Sequence, residues 1–584
     1  LILDIYFPDE DRGTSVAEVY LQQTDVLIVG GGGAGMRAAI EAAAHGCRVI
    51  VANKGPAGRS GTTPMAMEAF QAVCSPGDSE NLHFRDTVEG GRYLGDENLI
   101  SFLVRDAAKR AEELETFGVQ FKRKPDGAFD PMHHPGQSFP RALFIQGGGF
   151  AMLAGLIRQA RKHSGIQILD DVLVMKLILD RAGKTSGAIY LDLKEGRWKA
   201  IQSKAVVLAT GGYEELWAFN DASWTACGDG VFLAYEAGAQ LVDLEMLQYY
   251  PTVVIHPPSI QGTLFQYEVI THPEILGGRL LNGRMEPFFE GILLRDAIVR
   301  AIWKEILEGR GSPHGGVFID LVHSSKDRED LTKALEKWQP NQFHYLKDMG
   351  FDLREVLVEV TPHAHYTLGG VAIDEKARTT VPGLFAAGEV AGNLHGANRV
   401  SGNALAETQV FGAIAGASAA NLAEKRKFEK LSGIRLEMNV AENLVKGWQG
   451  RGNIRPHRVR ERLQKIMWQK CGVERDDQGL RQGREELETL EREALPNLSV
   501  TDIGRGISYG AYPQEIQEAL EVRMMISLGR LVLSSALFRK ETLGHHIRTD
   551  YPSPWREPKH TFLSKEKGPW AGEVKRERTG PWET

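Results

Sequence analysis

Asp25-Val-Leu-Ile-Val29 runs without a break into Gly30-Gly-Gly-Gly-Ala-Gly35, and the reading of this stretch decides the fold. The first part has the composition of a parallel strand buried on both faces. Gly30, Gly32 and Gly35, with Gly33 and Ala34 between them, have the spacing of a dinucleotide-binding turn. Such a turn brings the pyrophosphate of a ligand to the N-terminus of the following helix, where backbone N–H groups favour negative charge. Met36–His45 continues as an Ala-rich helix and Arg48–Ala52 reads as a second strand. The glycines alone would be weak evidence; strand, glycines, helix and strand in that order specify a Rossmann-like α/β unit. The second strand ends in Asn53-Lys54, where a nicotinamide enzyme would offer Asp or Glu to the ribose. NAD is therefore not the expected ligand.

A chain of 584 residues is too long for one core and suggests about three or four domains. With 42% hydrophobic and 25% charged residues it has the composition of an ordinary soluble globular protein. A net charge of −7 gives no reason to expect a nucleic-acid partner. No apolar run approaches the ~20 residues that span a bilayer; Ala413–Ala423, the nearest, is rich in small residues and reads as a packed helix. No signal peptide is expected either. Cys47, Cys74, Cys227 and Cys471 include no Cys-x-x-Cys pair. An iron–sulfur cluster held wholly by this chain is thus not expected, and the cysteines fit a reducing, cytoplasmic compartment.

Gly383-Leu-Phe-Ala-Ala-Gly-Glu389 and His395-Gly-Ala-Asn-Arg-Val-Ser-Gly-Asn-Ala-Leu405 together resemble the flavoprotein subunits of fumarate reductase and succinate dehydrogenase. The resemblance runs from about Asp25 to Pro552 and implies FAD. The family commonly has a small polar residue and a lysine where Asn53 and Lys54 stand. Lys204-Ala-Val-Val-Leu-Ala-Thr-Gly-Gly212 resembles the Ala-Thr-Gly-Gly segment of two-part FAD domains, which puts Thr210 and Gly211 against the cofactor. Glu389 resembles the flavin ribityl contact. Ser60, Gly61, Thr62, Asp229, Asn403, Ala404 and Leu405 complete the set of cofactor positions that the resemblance implies. Phe139-Pro-Arg141 with Gly147-Gly148-Gly149 resembles a further flavin-contacting stretch, with Gln146 where an acid is common.

The same resemblance names a substrate pocket. Leu294-Arg-Asp-Ala-Ile-Val-Arg300 matches a motif whose first arginine, here Arg295, donates the proton in fumarate reduction. Pro362-His-Ala-His-Tyr-Thr-Leu-Gly-Gly370 matches one whose histidine, here His365, binds substrate. Arg399 supplies the carboxylate clamp, for which a planar guanidinium fork is suited. A hydride delivered to one carbon of a polarised double bond leaves its neighbour needing a proton. Two cations and a histidine gathered on one carboxylate favour the charge that develops there.

Two motifs depart from the family. Leu244-Glu-Met-Leu-Gln-Tyr-Tyr-Pro-Thr252 has Tyr250 where a histidine binds the second carboxylate. Tyr267-Glu-Val-Ile-Thr271 keeps Glu268 of a Thr-Glu-x-x-Arg motif but has Thr271 for the relay arginine. A phenol adds a hydrogen bond but no charge, so fumarate and succinate are expected to turn over poorly against a substrate with a single acid or acyl group. An alternative is a flavin electron relay in a multisubunit complex, with a different small substrate or none. His133-His134, in Pro131-Met-His-His-Pro135, lacks carboxylate or cysteine company and reads as an ordinary loop, so no metal site is expected.

The chain is read as an N-terminal arm (1–24), an FAD-binding domain (25–244 and 363–423) and a capping α+β domain (245–362). A helical domain (424–552) and a tail (553–584) follow. Arg460–Trp468 has one amphipathic face, and Pro513–Arg539 shows an apolar stripe at helical spacing. Trp555, Trp570 and Trp582 in the tail suggest a docking arm for a partner. With no cluster ligands, no nicotinamide site and no membrane span, the flavin needs an iron–sulfur (ferredoxin-like) subunit to exchange electrons.

In membrane-bound family members a histidine after an Arg-Ser pair bonds covalently to the flavin. Here Gly58-Arg-Ser-Gly61 puts Gly61 at that position, and FAD is expected to be held without a covalent bond. Acid or heat precipitation should release all the flavin into the supernatant; a washed pellet that stays yellow would refute this.

Overall fold

The computed structural model describes residues 21–576 apart from 68, 290, 292, 430–433, 450–451 and 502–513. Most of the N-terminal arm, Pro513 and Trp582 lie outside the described residues. The chain has a mixed α/β fold in which a Rossmann-like sheet, a capping sheet domain and a helical domain are built from successive segments.

The central strand is Leu21–Val29, paired in parallel with Val49–Asn53 on one side and with Arg197–Leu208 on the other. It starts earlier than its apolar composition predicts. Gln22, Gln23 and Thr24 lie in register with Ile201, Gln202 and Ser203, and Gln23 donates to the Gln202 side chain at 2.8 Å. Cross-strand polar pairing of this kind leaves no hydrophobic signature. Ile166–Asp170 extends the sheet at one edge, Leu384–Ala386 adds to Arg197–Leu208, and the hairpin Val172–Leu179/Thr185–Asp192 closes the other side. Val26, Leu27, Val51, Val206 and Val207 are fully buried, with the helices Gly33–Ala44 and Asn403–Lys425 packed on the sheet and on each other.

Between the halves of this domain the chain leaves to form a four-stranded antiparallel sheet. Its order is Leu247–His256, Val358–Thr367, Val317–Asp320 and Arg279–Leu281. This body has its own hydrophobic core, from Val253 and Phe265 to Phe343 and Val360, and Tyr250 and Tyr267 belong to it. The register of Leu247–His256 slips between Tyr250 and Val253. Such irregularities re-aim side chains, here just beside the substrate-facing end of the strand.

The helices Ile434–Trp448, Pro456–Lys470, Asp477–Ala494 and Gln514–Phe538 make the C-terminal bundle. The last of these is not amphipathic as the stripe predicts. It is buried nearly all round, through Ala519, Val522, Met524, Met525, Ile526, Leu528 and Val532, because neighbours pack on every side of it. No helix among the described residues is long and apolar enough to cross a membrane.

The tail corrects the docking-arm expectation for the two tryptophans that are described. Lys559–Ser564 and Gly568–Glu573 form a hairpin on Leu241–Val242 of the chain's own fold. Trp570 lies 5.9 Å from Phe562 within the hairpin, and the Trp555 indole donates to the Lys540 carbonyl beneath Arg539. Both rings are half-buried against the chain's own surface.

Candidate active site

One cavity of about 440 Å³ runs from the glycine turn to the capping sheet. At its nucleotide end, Gly30 adopts φ 105°, and a Cβ there would strike the Ala209 carbonyl. Gly32, Gly33 and Ala34 open the helix Gly33–Ala44, whose N-cap is supplied by glycine with no side-chain hydrogen bond. Gly33 N donates to the Thr63 hydroxyl at 3.0 Å, and the remaining first-turn N–H groups suit a pyrophosphate. Asn53 shapes the turn: its Oδ1 accepts from Gly31 N at 3.1 Å and its Nδ2 donates to the Gly55 carbonyl at 2.6 Å. Ser60, Gly61, Thr62, Thr210, Gly211 and Glu389 line the same wall. The Thr210 hydroxyl is buried with no hydrogen-bond partner among the described residues. Ala404 and Leu405 add the N-terminus of a second helix, Asn403–Lys425, to the cavity. A long groove with two uncapped helix starts and an orphaned hydroxyl fits a dinucleotide.

At the other end the expected substrate residues converge. Arg295 opens the helix Arg295–Glu305 and is 8% exposed. Its guanidinium donates to Gln248 (3.2 Å), Glu268 (3.3 Å) and Ser401 (3.3 Å), with the Tyr250 ring 4.7 Å from its central carbon. Burial opposes its charge, but Glu268 and the phenols of Tyr250 and Tyr267 hold its pKa above the ordinary arginine value. The Tyr250 hydroxyl donates to Glu268 at 2.8 Å. His365 holds Asp221 through Nδ1 at 2.9 Å, so its other nitrogen is free to face the cavity; burial lowers its pKa.

Arg399 differs. Its guanidinium stacks 4.3 Å over Tyr366 but forms no ion pair among the described residues, and its Nε is buried without a partner. Burial, with Arg295 nearby, lowers its pKa to about 10. A desolvated cation without a counter-ion is an anion site. The loop that carries it is braced from behind: Asn398 meets the His545 ring at 3.1 Å, and His545 N donates to the Ala397 carbonyl at 3.1 Å.

Several expected residues do other work. Gly35 packs the helix onto the Gly30 carbonyl and does not line the cavity. Lys54 and Asp229 line it with their charges spent on each other (2.8 Å), Lys54 also meeting Glu521 of the helix Gln514–Phe538 at 3.0 Å. The Asn403 side chain turns away to His83 (3.0 Å) and Thr87 (3.1 Å). Tyr267 donates to the Leu293 carbonyl and Thr271 bonds back to Tyr267 within its own turn, so neither hydroxyl is offered to a ligand as donor. Asp221 was invisible in the sequence; Gln248 and Ser401 lie within the quoted motifs, but their contacts with Arg295, distant along the chain, did not show there. His134 corrects the loop reading: it is 3% exposed and lines the cavity. Away from the cavity, His256, His314 and Glu359 cluster on the capping sheet. The two imidazoles are stacked at 3.7 Å and 4°, so their lone pairs lie in parallel planes and do not point at a common ion ~2 Å from each.

Fold and cavity define an FAD-binding flavoprotein with an anion-binding, arginine-lined active site. Residues 25–405 match the FAD binding domain family and residues 460–571 match the fumarate reductase flavoprotein C-terminal family. The chain is 37% identical over 559 residues to an uncharacterized FAD-dependent oxidoreductase of Methanocaldococcus jannaschii, covering 94% of this chain and 97% of that one. It is 35% identical over 561 residues to a subunit of the CoM/CoB fumarate reductase of Methanothermobacter marburgensis, covering 94% and 98%. A variant E. coli quinol fumarate reductase superposes with a TM-score of 0.87 at 28% identity, over 96% of this chain and 98% of that one. The chain belongs to the fumarate reductase and succinate dehydrogenase flavoprotein family, and it is an FAD-dependent oxidoreductase.

The unpaired charge of Arg399 has a measurable signature. Arg399→Met should melt no lower than the parent protein, because it removes a desolvated cation with no ion-pair partner among the described residues. Carboxylate binding should weaken ~10-fold or more, the loss expected for a hydrogen bond to a charged group. A variant that melts well below the parent would show that Arg399 has a stabilising partner.

Proposed function

We propose that this chain is the flavin-bearing catalytic subunit of a reductase that adds a hydride and a proton across a C=C bond beside a carboxylate. The observation that carries the reading is the meeting of Arg295, His365 and the unpaired Arg399 at one end of the FAD cavity. When bound, FAD supplies hydride exchange with carbon. Arg399 clamps the carboxylate and withdraws charge from the double bond. His365, oriented by Asp221, donates from its free nitrogen to the same group. Arg295 gives the proton to the neighbouring carbon.

Arg295 is a poor acid on its pKa alone, and Arg399 is the more acidic of the two while the cavity holds no anion. Arg295 is nevertheless assigned the role because it touches a relay. A proton reaching Glu268 stands one hydrogen bond from the guanidinium and one from the Tyr250 hydroxyl. Arg399 has no such neighbour, and a bound carboxylate would raise its pKa again. With Gly61 at the linking position, the flavin is held non-covalently, which favours reduction over succinate oxidation. Electrons arrive from an iron–sulfur partner polypeptide; the Methanothermobacter relative is named as one subunit of its reductase, which supports a multisubunit assembly.

Reduced flavin, generated anaerobically, should be reoxidised by at least one of fumarate, a crotonate-like acid or an enoyl thioester; reoxidation by none overturns the reading. Arg295→Lys should keep its flavin and lose at least ~10²-fold in turnover, the lower end of general-acid contributions. Normal turnover in that variant would place the proton donor elsewhere. Purification from the native source should yield a second, iron-containing polypeptide, and an iron-free chain that accepts electrons from NADH at full rate would exclude the partner.

A further inference from the structure

His134 is buried at 3% exposure, yet neither of its ring nitrogens has a hydrogen-bond partner among the described residues. A neutral imidazole carries one donor and one acceptor, and leaving both unmet inside a protein is costly enough to need an explanation. Its position supplies one. It lines the FAD cavity, and the charges that act on it come from Glu268 and Arg295, at the capping-sheet end.

The ring is presented by a rigid loop. His134 N donates to the Gln137 side chain at 3.0 Å, and Gln137 N donates back to the His134 carbonyl at 3.2 Å. Ser138 donates to Asp86 through both N and Oγ at 2.7 Å, while Arg141 is fully buried between Asp78 and Asp86. Gly136 sits against Leu294, the residue before Arg295. A buried ion-pair network behind a hydrogen-bonded turn fixes an unpaired side chain beside the proposed proton donor, which is how a recognition group is pre-organised.

Of the other polar groups on this side, the two phenols and the carboxylate are already engaged, while Gln266 Oε1 and Arg295 Nε are also left without a partner among the described residues. Tyr250 donates to Glu268, Tyr267 donates to the Leu293 carbonyl, and Glu268 accepts from both Tyr250 and Arg295. We infer that His134 is a specificity-determining residue, its imidazole reading the second acid group of a dicarboxylate whose first is held by Arg399. The inference rests on the proposed reductase reading and reverses the expectation that the phenol at Tyr250 leaves fumarate poorly recognised: a histidine arrives there from a different segment of chain.

Binding to the oxidised holoprotein, followed by the change in flavin absorption, tests this with fumarate as the dicarboxylate and crotonate as the one-acid control. The parent should prefer fumarate. His134→Phe, which keeps the ring volume, should weaken fumarate ~10-fold or more and leave crotonate within about 2-fold. His134→Gln, which retains a donor, should recover part of the loss. Equal fumarate affinity in His134→Phe and parent overturns the inference, as does equal weakening of both acids, which marks a structural role. If the phenylalanine variant loses its flavin, His134→Ala and His134→Gln decide on the same fumarate-to-crotonate ratio. A parent protein that binds neither acid overturns the reductase reading and the inference with it, whereas failure of the inference alone leaves the parent binding intact.

Discussion

Two helices that start far apart in the sequence must cross almost in backbone contact, and the cavity exists because they do. A Cβ on Gly412 would meet the Ala34 carbonyl at 2.7 Å, and one on Gly416 would collide with the Ala38 carbonyl. Side chains at those two positions would force apart Gly33–Ala44 and Asn403–Lys425. Held together, the helices turn both N-termini towards one groove, and the summed partial positive charge suits a ligand with phosphates. The low helix propensity of glycine is the cost of this approach. The Arg399 loop feeds directly into the second helix, so its place relative to the glycine turn is set by the same crossing.

What the sequence made legible follows from how local each signal is. The glycine turn, its flanking strands and the run His395–Leu405 are contiguous, so residue order alone announces them. Arg295 and His365 were readable because each lies in a short motif. Their supports were not: Asp221 lies 144 residues before His365, and Ser401 lies 106 residues after Arg295. No periodicity joins such positions. His134 was misread for a related reason. A proline-bounded polar loop looks solvated until the capping sheet closes over it, and only burial distinguishes an idle imidazole from an unsatisfied one. The tail tryptophans failed in the opposite sense, since aromatic spacing says that a partner is needed but not that the partner is the same chain.

The polar groups around the substrate end fall into two kinds. Tyr250, Tyr267, Glu268 and Gln248 are bonded to the protein and form a fixed wall. Arg399 and His134, with Gln266 Oε1 and Arg295 Nε beside them, keep hydrogen-bonding capacity unspent while buried. Buried polar groups are normally satisfied, so this division separates the scaffold of the pocket from the part addressed to a ligand without reference to any relative.

The lone guanidinium of Arg399 also governs how the protein behaves on the bench. A cation shut away from water draws in whatever small anion the solution contains, and occupancy then follows mass action. Acetate, sulfate or citrate in a storage buffer will therefore act at once as stabiliser and as competitor, raising the melting temperature in proportion to the logarithm of its concentration while obscuring the affinity of the true substrate. Activity and stability measured in different buffers will be anticorrelated for a reason that has nothing to do with folding.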